Sequence, residues 1–308
     1  MTTATVAFRA ERVRLWATAY RMLGSAADAE DAVQTVWLRW LEAAPSGVER
    51  PTAWLITALT RLCIDELRSA RRQRVSYVGP WLPEPLLDDE HPLPSEMVER
   101  DESLSLAHLV LLERLGPLER AALVLHDALE WSHAEIARAI GKREPAVRQL
   151  VARARRRLAE APAATPVRNP RTAELGRRFL AALGRGDVPT LLESLDASAV
   201  FLTDGGGRVI AALNPIRGRE RVGRFLAGVI AKRYEPLTAY AVRLNGAPGL
   251  WLAHPDGRPY ALFGLGFSDD GERIAAIYAI RNPDKLAGRA GSPAMRTGSA
   301  LIPRGKFE

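Results

Sequence analysis

Two proline-rich stretches constrain the fold of this 308-residue chain, because proline at high density prevents a continuous helix. The first stretch, residues 76–102, holds five prolines and eight acidic residues. The second stretch, residues 161–170, reads APAATPVRNP. Both patterns are typical of linkers, so the sequence predicts a multidomain protein, as its length also does.

The parts on either side of the second linker differ in their patterns. Residues 1–75 and 104–160 lack hairpin turn signals, which predicts two all-α domains joined by an acidic linker at 76–103. After Asp196, short apolar runs are separated by DGGG, NGAPG, HPDG and SDDG, and such turns favour hairpins. Residues 171–288 are therefore predicted to form an α+β domain. Residues 289–308 are expected to be disordered.

The order of elements in the α+β domain is also predicted. The apolar runs and turns indicate two helices, then a hairpin, then a third helix, then three or four antiparallel strands ending at Arg281. The helices are expected at about 171–184, 187–195 and 218–231.

Charge is divided unevenly along the chain. A net charge of +7 suggests a polyanionic partner. Residues 1–165, however, hold 22 basic residues (Lys and Arg) and 23 acidic ones (Asp and Glu). Residues 166–308 hold 21 basic residues and 13 acidic ones. The excess positive charge therefore lies in the C-terminal part. We expect that part to associate with the acidic segment around residues 84–102 of the same chain.

Composition excludes several classes of protein. The sequence has neither an apolar stretch of about 18 residues nor a signal-peptide pattern, so no membrane association is predicted. The single cysteine, Cys63, excludes internal disulfides and cysteine-based zinc sites, and a reducing cytoplasm is the expected location. No metal or cofactor is predicted.

A helix-turn-helix is predicted at residues 131–158. Ser132 and Glu135 form a capping-box pattern, and Gly141 is typical of a helix end. A second helix follows, with Arg148, Gln149 and Arg153 outside its apolar stripe. Arginine and glutamine on an exposed helix face can read base edges in the major groove. The alternative is an ordinary helical hairpin with a solvated basic face.

The N-terminal part carries two further helical patterns. In residues 19–42, Ser25 precedes an acidic first turn, and the apolar stripe holds Val33, Val36, Trp37, Trp40 and Leu41. This stripe predicts either simple core packing or a protein-docking face. The next helix, 51–74, carries Arg61, Arg68, Arg71 and Arg72, which predict a phosphate-binding face, although basic residues at a helix end also complement its dipole. Loop 44–50 precedes it and is expected to present backbone groups to a flipped base.

These motifs together resemble a known family. AYRMLGSAADAEDAVQ (19–34) with the 51–74 helix resembles region 2 of the extracytoplasmic-function (ECF) sigma factors of the sigma-70 superfamily, and 115–158 resembles region 4. WLPEP (81–85), DGGGR (204–208) and NPDKL (282–286) resemble motifs of the group with a fused SnoaL-like domain, an α+β cone of the NTF2-like superfamily.

The resemblance implies a function and partners. The chain would direct core RNA polymerase, through its β′ and β subunits, to the −10 and −35 elements of promoter DNA. The acidic linker would occupy a basic channel of the polymerase. The C-terminal domain would regulate the sigma part in cis, with WLPEP as its docking segment.

The resemblance also assigns residues to each role. The implied polymerase-binding residues are Asp28, Glu30, Asp31, Gln34 and Trp37. The implied −10 contacts are Arg61, Arg68, Arg71 and Arg72, and the −35 contacts are Arg143, Glu144, Arg148, Gln149 and Arg153. The implied regulatory residues are Trp81, Leu82, Pro83, Glu84, Pro85, Asp204, Gly205, Gly206, Gly207, Arg208, Asn282, Pro283, Asp284 and Lys285.

The sequence departs from the family pattern at two positions. Arg143 stands where a small capping residue is expected, and Arg208 stands where the family has Lys. The first change puts the helix cap in doubt, whereas the second keeps the charge but changes its geometry.

Other functions are weighed for the C-terminal domain. Related cone folds include enzymes, but Asp204 and Asp256 are explained by turn chemistry, so no catalytic set is predicted. A cone lined by apolar side chains would either bind a small unknown ligand or simply form a filled core. The lining residues would be Phe201, Leu213, Leu252, Phe263 and Phe267. The alternatives to a sigma factor are a one-component ligand-sensing DNA-binding regulator and an enzyme fused to a DNA-binding module.

Overall fold

The computed structural model describes residues 3–43, 48–74, 77–87, 91, 93–94, 97–98, 101–160, 170–232 and 237–287. Chain contacts divide the protein into two compact units. The first unit comprises Met1–Val75, Pro92–Pro94 and Leu109–Ala161, and the second comprises Ser76–His91, Ser95–His108 and the chain from Pro162 onward. Most of the predicted acidic linker therefore belongs to the same compact unit as the C-terminal domain.

Within residues 1–75 and 104–160 the described chain is helical apart from short connections, as predicted. These helices are α1 (Thr3–Leu23), α2 (Ala26–Glu42), α3 (Pro51–Arg74), α4 (Leu106–Leu112), α5 (Pro117–Asp127), α6 (His133–Ile140) and α7 (Glu144–Ala159). A short 3-10 turn, Glu102–Leu104, precedes α4. Helix α4 spans the division between the two units, because its first residues belong to the second unit.

Helices α1, α2 and α3 pack around a large aromatic core. Trp16, Tyr20 and Trp40 are almost fully buried there. The Trp40 indole Nε1 donates to the Ala4 carbonyl at 3.0 Å, which satisfies its polar atom. Ser25 caps α2 by accepting a hydrogen bond from the Asp28 amide, as its position predicted. Trp40 is therefore a core residue and does not belong to an exposed docking face.

Helices α6 and α7 form the predicted helix-turn-helix. The Ser132 hydroxyl and backbone amide donate to the Glu135 carboxylate, and these bonds hold the pKa of Glu135 below its ordinary value. Gly141 ends α6 in the left-handed conformation, with φ of 64°. Among the described residues no side chain caps the start of α7 after Arg143, as the unusual arginine there suggested.

The second unit contains an α+β domain, which confirms the predicted class. Its elements are α8 (Pro170–Arg185), α9 (Val188–Ser194), β1 (Leu195–Asp204), β2 (Ile216–Arg217), α10 (Arg219–Ala231), β3 (Thr238–Leu244), β4 (Ala247–Ala253), β5 (Pro259–Phe267), β6 (Ile274–Ile280) and α11 (Pro283–Leu286). The three longer helices α8, α9 and α10 lie close to the ranges predicted for them.

The six strands form one sheet in the order β2-β1-β6-β5-β4-β3. Strands β3 to β6 are antiparallel neighbours, as predicted. The predicted hairpin is present as the antiparallel pair β1 and β2, but DGGG does not form a tight turn between them. Strand β1 reaches its antiparallel partner β2 only after residues 205–215, and its other neighbour, β6, lies parallel to it. The Asp204 carboxylate binds the Gly206 amide, and this local turn redirects the chain away from β1.

One face of the sheet packs against the helices of this unit. Phe201, Leu252 and Phe267 are buried in a cluster with side chains from α8, α9 and α10, and Phe263 is partly buried against it. Leu213, expected to line a cone, is instead 60% exposed. The remaining four expected lining residues contribute to a packed apolar core.

The opposite face of the sheet is buried as well. Side chains alternate along a strand, so Trp251 points away from Leu250 and Leu252, yet it is fully buried. Tyr278 lies on β6 with 2% of its surface exposed, and burial raises the pKa of its hydroxyl. We call the acidic linker, residues 76–103, the connector. Its leucines Leu82 and Leu87 are also fully buried in this unit, so the described residues 77–87 contribute to the folded core.

Candidate functional site

A buried carboxylate lies where the connector meets the C-terminal domain. Asp204, at the end of β1, has no exposed surface. It accepts hydrogen bonds from the Tyr77 hydroxyl at 2.5 Å, the Leu82 amide at 2.9 Å, the Gly206 amide at 3.1 Å and the Lys285 ammonium at 2.6 Å. Four donors satisfy a charge that would otherwise be costly to bury. The carboxylate therefore does more than form the turn that the sequence suggested.

Lys285 is the cation of this site. Its side chain is 12% exposed and forms an ion pair with Asp204. The same ammonium donates to the Leu82 carbonyl and lies 3.8 Å from the centre of the Trp81 ring. Lys285 therefore combines an ion pair, a main-chain hydrogen bond and a cation–π contact, all with partners from the connector or Asp204.

Asn282 joins the last short helix to the same site. Its Nδ2 donates to the Tyr77 hydroxyl at 2.9 Å, and its Oδ1 accepts from the Asp284 amide at 3.0 Å. The second bond caps α11, whose first residue is Pro283. The capped turn places Lys285 against Asp204.

The three glycines after Asp204 allow close contacts on three sides. A Cβ at Gly205 would lie 2.7 Å from the Val209 carbonyl oxygen. A Cβ at Gly206 would lie 2.5 Å from the Asn282 amide nitrogen, and one at Gly207 would lie 3.1 Å from the Val78 Cβ. Each glycine therefore has a steric reason, beyond turn formation, to lack a side chain.

The rest of the three motifs surrounds this centre. Pro83 and Pro85 are buried and Glu84 is half-buried. Arg208 and Asp284 form an ion pair of 3.5 Å with 66% of each side chain exposed, a setting in which ion pairs contribute little stability. The structure thus brings WLPEP, DGGGR and NPDKL together. We call Tyr77, Leu82, Asp204, Asn282 and Lys285 the connector latch.

Sequence reasoning missed two residues of this region, Tyr77 and Val78. Both lie just before the WLPEP motif, and each contacts the DGGGR turn. The only signal in the sequence was an aromatic residue just before the proline-rich stretch.

A groove between α1 and α2 includes part of the predicted polymerase-binding face. Its volume is about 280 Å³, and Glu30, Gln34 and Trp37 from α2 help to line it. The Trp37 ring packs 4.7 Å from the Phe8 ring of α1. Arg12 of α1 forms an ion pair of 2.6 Å with Glu30.

The rest of the predicted polymerase-binding face lies open to solvent. Asp28 and Asp31 are exposed on α2. Leu38 and Leu41 are exposed too, at 59% and 46% of their surface, although Leu41 was expected in the apolar stripe of the helix. The first part of α2 is therefore acidic, and its last turns present exposed apolar side chains beside Arg39 and Glu42.

Arginines of α3 have different surroundings. Arg61 Nε donates to the Ala139 carbonyl at 2.7 Å, at the end of α6. Its guanidinium thereby complements the negative end of that helix. Arg68 pairs with Asp65 at 3.2 Å. The side chains of Arg71 and Arg72, like most of loop 44–50, lie outside the described residues. In this structure Arg61 binds protein at the position predicted to bind DNA.

Helix α7 exposes the predicted −35 contacts. Arg143, Arg148, Gln149 and Arg153 are all exposed, and Glu144 forms an ion pair with Arg148. Buried residues Val147, Leu150, Val151 and Ala154 form the opposite stripe. Arg153 also lies 3.5 Å from Glu119 of α5, so its charge is partly matched within the protein.

Comparison with known proteins identifies the helical parts. Residues 7–73 match the model of sigma-70 region 2, and residues 107–158 match that of sigma-70 region 4. These two regions define a sigma factor of RNA polymerase.

The similarity extends over the C-terminal domain. The ECF RNA polymerase sigma factor SigJ of Mycobacterium tuberculosis is 37% identical over 292 residues, which cover 91% of this chain and 92% of SigJ. The probable ECF sigma factor SigI of the same species is 35% identical over 223 residues, which cover 70% of this chain and 73% of SigI. The crystal structure of SigJ matches with a TM-score of 0.73 and 33% identity, covering 94% of this chain and 99% of that one.

This chain belongs to the ECF sigma factors of RNA polymerase and carries sigma-70 regions 2 and 4. Members of this family bind core RNA polymerase and promoter DNA, and they are not enzymes in the catalytic sense. Within the described ranges, none of the helices combines the length and apolar character that a membrane crossing requires.

A pair of glycine variants tests the close packing at the latch. Gly206 and Gly257 both have positive φ, but a Cβ at Gly206 meets Asn282, whereas a Cβ at Gly257 meets nothing within 4 Å. Gly206→Ala should therefore destabilise the protein more than Gly257→Ala, by about 1–3 kcal/mol, because it adds overpacking to the same backbone strain. Chemical denaturation measures both. Equal losses of stability would contradict the packing described for Gly206.

Proposed function

We propose that the chain directs core RNA polymerase to specific promoters, acts in the cytoplasm, and is controlled in cis by its own C-terminal domain. The observation that carries the control is the connector latch, in which a fully buried Asp204 binds the Leu82 amide and the Tyr77 hydroxyl. Family membership supports the promoter-directing activity.

Polymerase binding is assigned to α2. Asp28, Asp31 and Gln34 are exposed there, and the groove beside Trp37 has an apolar floor with Glu30, Arg9 and Arg12 at its edge. A partner surface that combines apolar and basic side chains would complement this face. The resemblance to region 2 suggests that the coiled coil of the β′ subunit fills this role, and that the β subunit contacts other parts of the sigma factor.

DNA binding is assigned to α3 and α7. The exposed Arg148 and Gln149 of α7 are suited to base edges of the −35 element, with Arg143 and Arg153 near phosphates. Arg68 of α3 is exposed for the −10 element. Arg61 would have to leave the α6 carbonyls before it could bind DNA. The free protein would therefore hold part of its −10 face in an inactive arrangement.

Control by the latch follows from chain connectivity. Helix α3 ends at Arg74, and the latch holds the chain from Tyr77 onward. While the latch is closed, little free chain remains between region 2 and the C-terminal domain. Opening it would release the connector, together with acidic residues such as Glu84, for binding to a basic channel of the polymerase. A small ligand of the C-terminal domain would be one means of shifting this equilibrium.

Variants of the buried ion pair test this control. Lys285→Met removes the cation and leaves the Asp204 carboxylate buried without its main partner, which typically costs about 3–5 kcal/mol. The latched state should lose most of its population, and promoter-specific run-off transcription with core polymerase should rise severalfold. Asp204→Asn should act in the same direction, because it removes the anion of the same pair.

The exposed pair provides the matched control. Arg208→Ala removes the ion pair between Arg208 and Asp284, which joins DGGGR and NPDKL as the buried pair does. Both partners are largely exposed, so transcription should change little. Thermal unfolding checks that every variant is folded. Transcription that stays at the wild-type level in both folded latch variants would reject control in cis. These point variants are preferable to deletion of residues 168–308, which would leave the connector leucines without their core.

Two variants in α7 test −35 recognition. Arg148→Ala or Gln149→Ala should relax specificity at one promoter position, costing about 1–3 kcal/mol for the preferred base. Arg156→Ala, exposed further along the helix, should weaken binding equally for all sequences. Run-off from a randomised promoter library with core polymerase separates these effects. Uniform weakening by all three variants would mean that α7 contacts only phosphates.

A further inference from the structure

The turn between β3 and β4 holds a buried polar residue that lies outside the three latch motifs. Asn245 and Gly246 form this tight turn with positive φ values of 50° and 74°. Asparagine, aspartate and glycine all suit the first position of such a turn. Turn residues are ordinarily exposed, yet Asn245 is only 3% exposed. Its burial therefore needs an explanation beyond turn formation.

Asn245 binds the main chain of the connector at Leu86. The Asn245 amide donates to the Leu86 carbonyl at 2.8 Å, and the Leu86 amide donates to the Asn245 Oδ1 at 3.0 Å. The next residue, Leu87, forms an antiparallel bridge with Leu244. The connector therefore pairs with the end of β3 as a very short extra strand.

The same side chain binds a second main-chain segment. The Asn245 Nδ2 donates to the Leu104 carbonyl at 2.8 Å, just before α4. Leu104 and Leu106 are buried next to this bond. A Cβ at Gly264 of β5 would lie only 2.7 Å from the Leu106 side chain, so the absence of a side chain at Gly264 permits this approach.

We propose that Asn245 is a clamp for the connector, in addition to the connector latch. Its one carboxamide holds both ends of the acidic segment 87–103 against the C-terminal domain. The segment from Leu86 to Leu104 could span roughly 60 Å if extended. Because Asn245 binds both Leu86 and Leu104, the two ends of this segment are held close to each other. The clamp does not rest on the proposed function.

The chemistry explains why the position holds asparagine. An aspartate would keep the turn and could still accept from the Leu86 amide, but it could not donate to the Leu104 carbonyl. A glycine would keep the turn and lose both side-chain bonds. The two substitutions therefore separate the two ends of the clamp without altering the backbone requirement at this position.

Hydrogen exchange of the full-length chain, without polymerase, tests the clamp. Asn245→Asp should speed amide exchange by about tenfold in peptides covering 101–108, as expected for loss of one buried hydrogen bond, and leave the Leu86 amide protected. Asn245→Gly should speed exchange at both segments. Asp256→Asn, in the exposed turn between β4 and β5, is the control and should change neither.

The clamp can still be tested if one of the two variants folds poorly. Glycine adopts the left-handed turn without strain, so Asn245→Gly reports on both ends by itself. Unchanged exchange at 101–108 in the folded variants would overturn the clamp. Failure of the proposed function would appear only in transcription assays with polymerase, and this measurement does not depend on them.

Discussion

The buried carboxylate of Asp204 is the interaction on which the second unit depends. An ionised carboxylate without exposed surface is costly unless charged and polar groups surround it. Lys285 and the turn at Gly206 supply two of its four donors, and the connector supplies the other two through Tyr77 and Leu82. The C-terminal domain therefore does not satisfy its own buried charge without the connector. This dependence makes the connector a structural part of the domain.

The acidic connector has the sequence of a linker but the contacts of a folded segment. Its sequence has the proline content of a linker, and the pattern gives no reason to expect a core there. Leu82, Leu86 and Leu87, however, are buried in the C-terminal unit, and the main chain at Leu82 and Leu86 is held by side chains of that unit. Main-chain hydrogen bonds dominate these contacts. Proline residues limit competing helical structure in the segment, which keeps its amides and carbonyls available for such recognition.

Features set by neighbouring residues were predictable from sequence. The capping box at Ser132, the end of α6 at Gly141 and the turn at Asn245 each depend on local chemistry, and the structure confirms them. Features set by distant pairing were not. The parallel pairing of β1 with β6 brings Asp204 beside the chain that leads into α11, where the Arg281 amide donates to the Asp204 carbonyl. Nothing in the local sequence specifies that neighbour, and the DGGG pattern did not predict the long loop between β1 and β2.

Contacts between side chains far apart in the sequence were not predictable either. Arg61 has the position and charge of a DNA contact, but only the packing of α3 near α6 shows that it binds helix carbonyls in this state. Leu213 follows an apolar pattern and yet lies exposed, because its loop leaves the sheet before it reaches β2. Family resemblance, and not residue pattern, suggested the roles of WLPEP, DGGGR and NPDKL.

A reversible lock of the connector tests the central claim most directly. The Val78 Cβ lies 3.1 Å from the position of a Cβ at Gly207, a spacing that a disulfide can adopt after a small shift. The double variant Val78→Cys/Gly207→Cys, oxidised before core polymerase is added, should give little promoter-specific transcription and regain it after reduction, whereas each single variant should be insensitive to oxidation. Equal transcription from the oxidised and reduced double variant would contradict control by the connector.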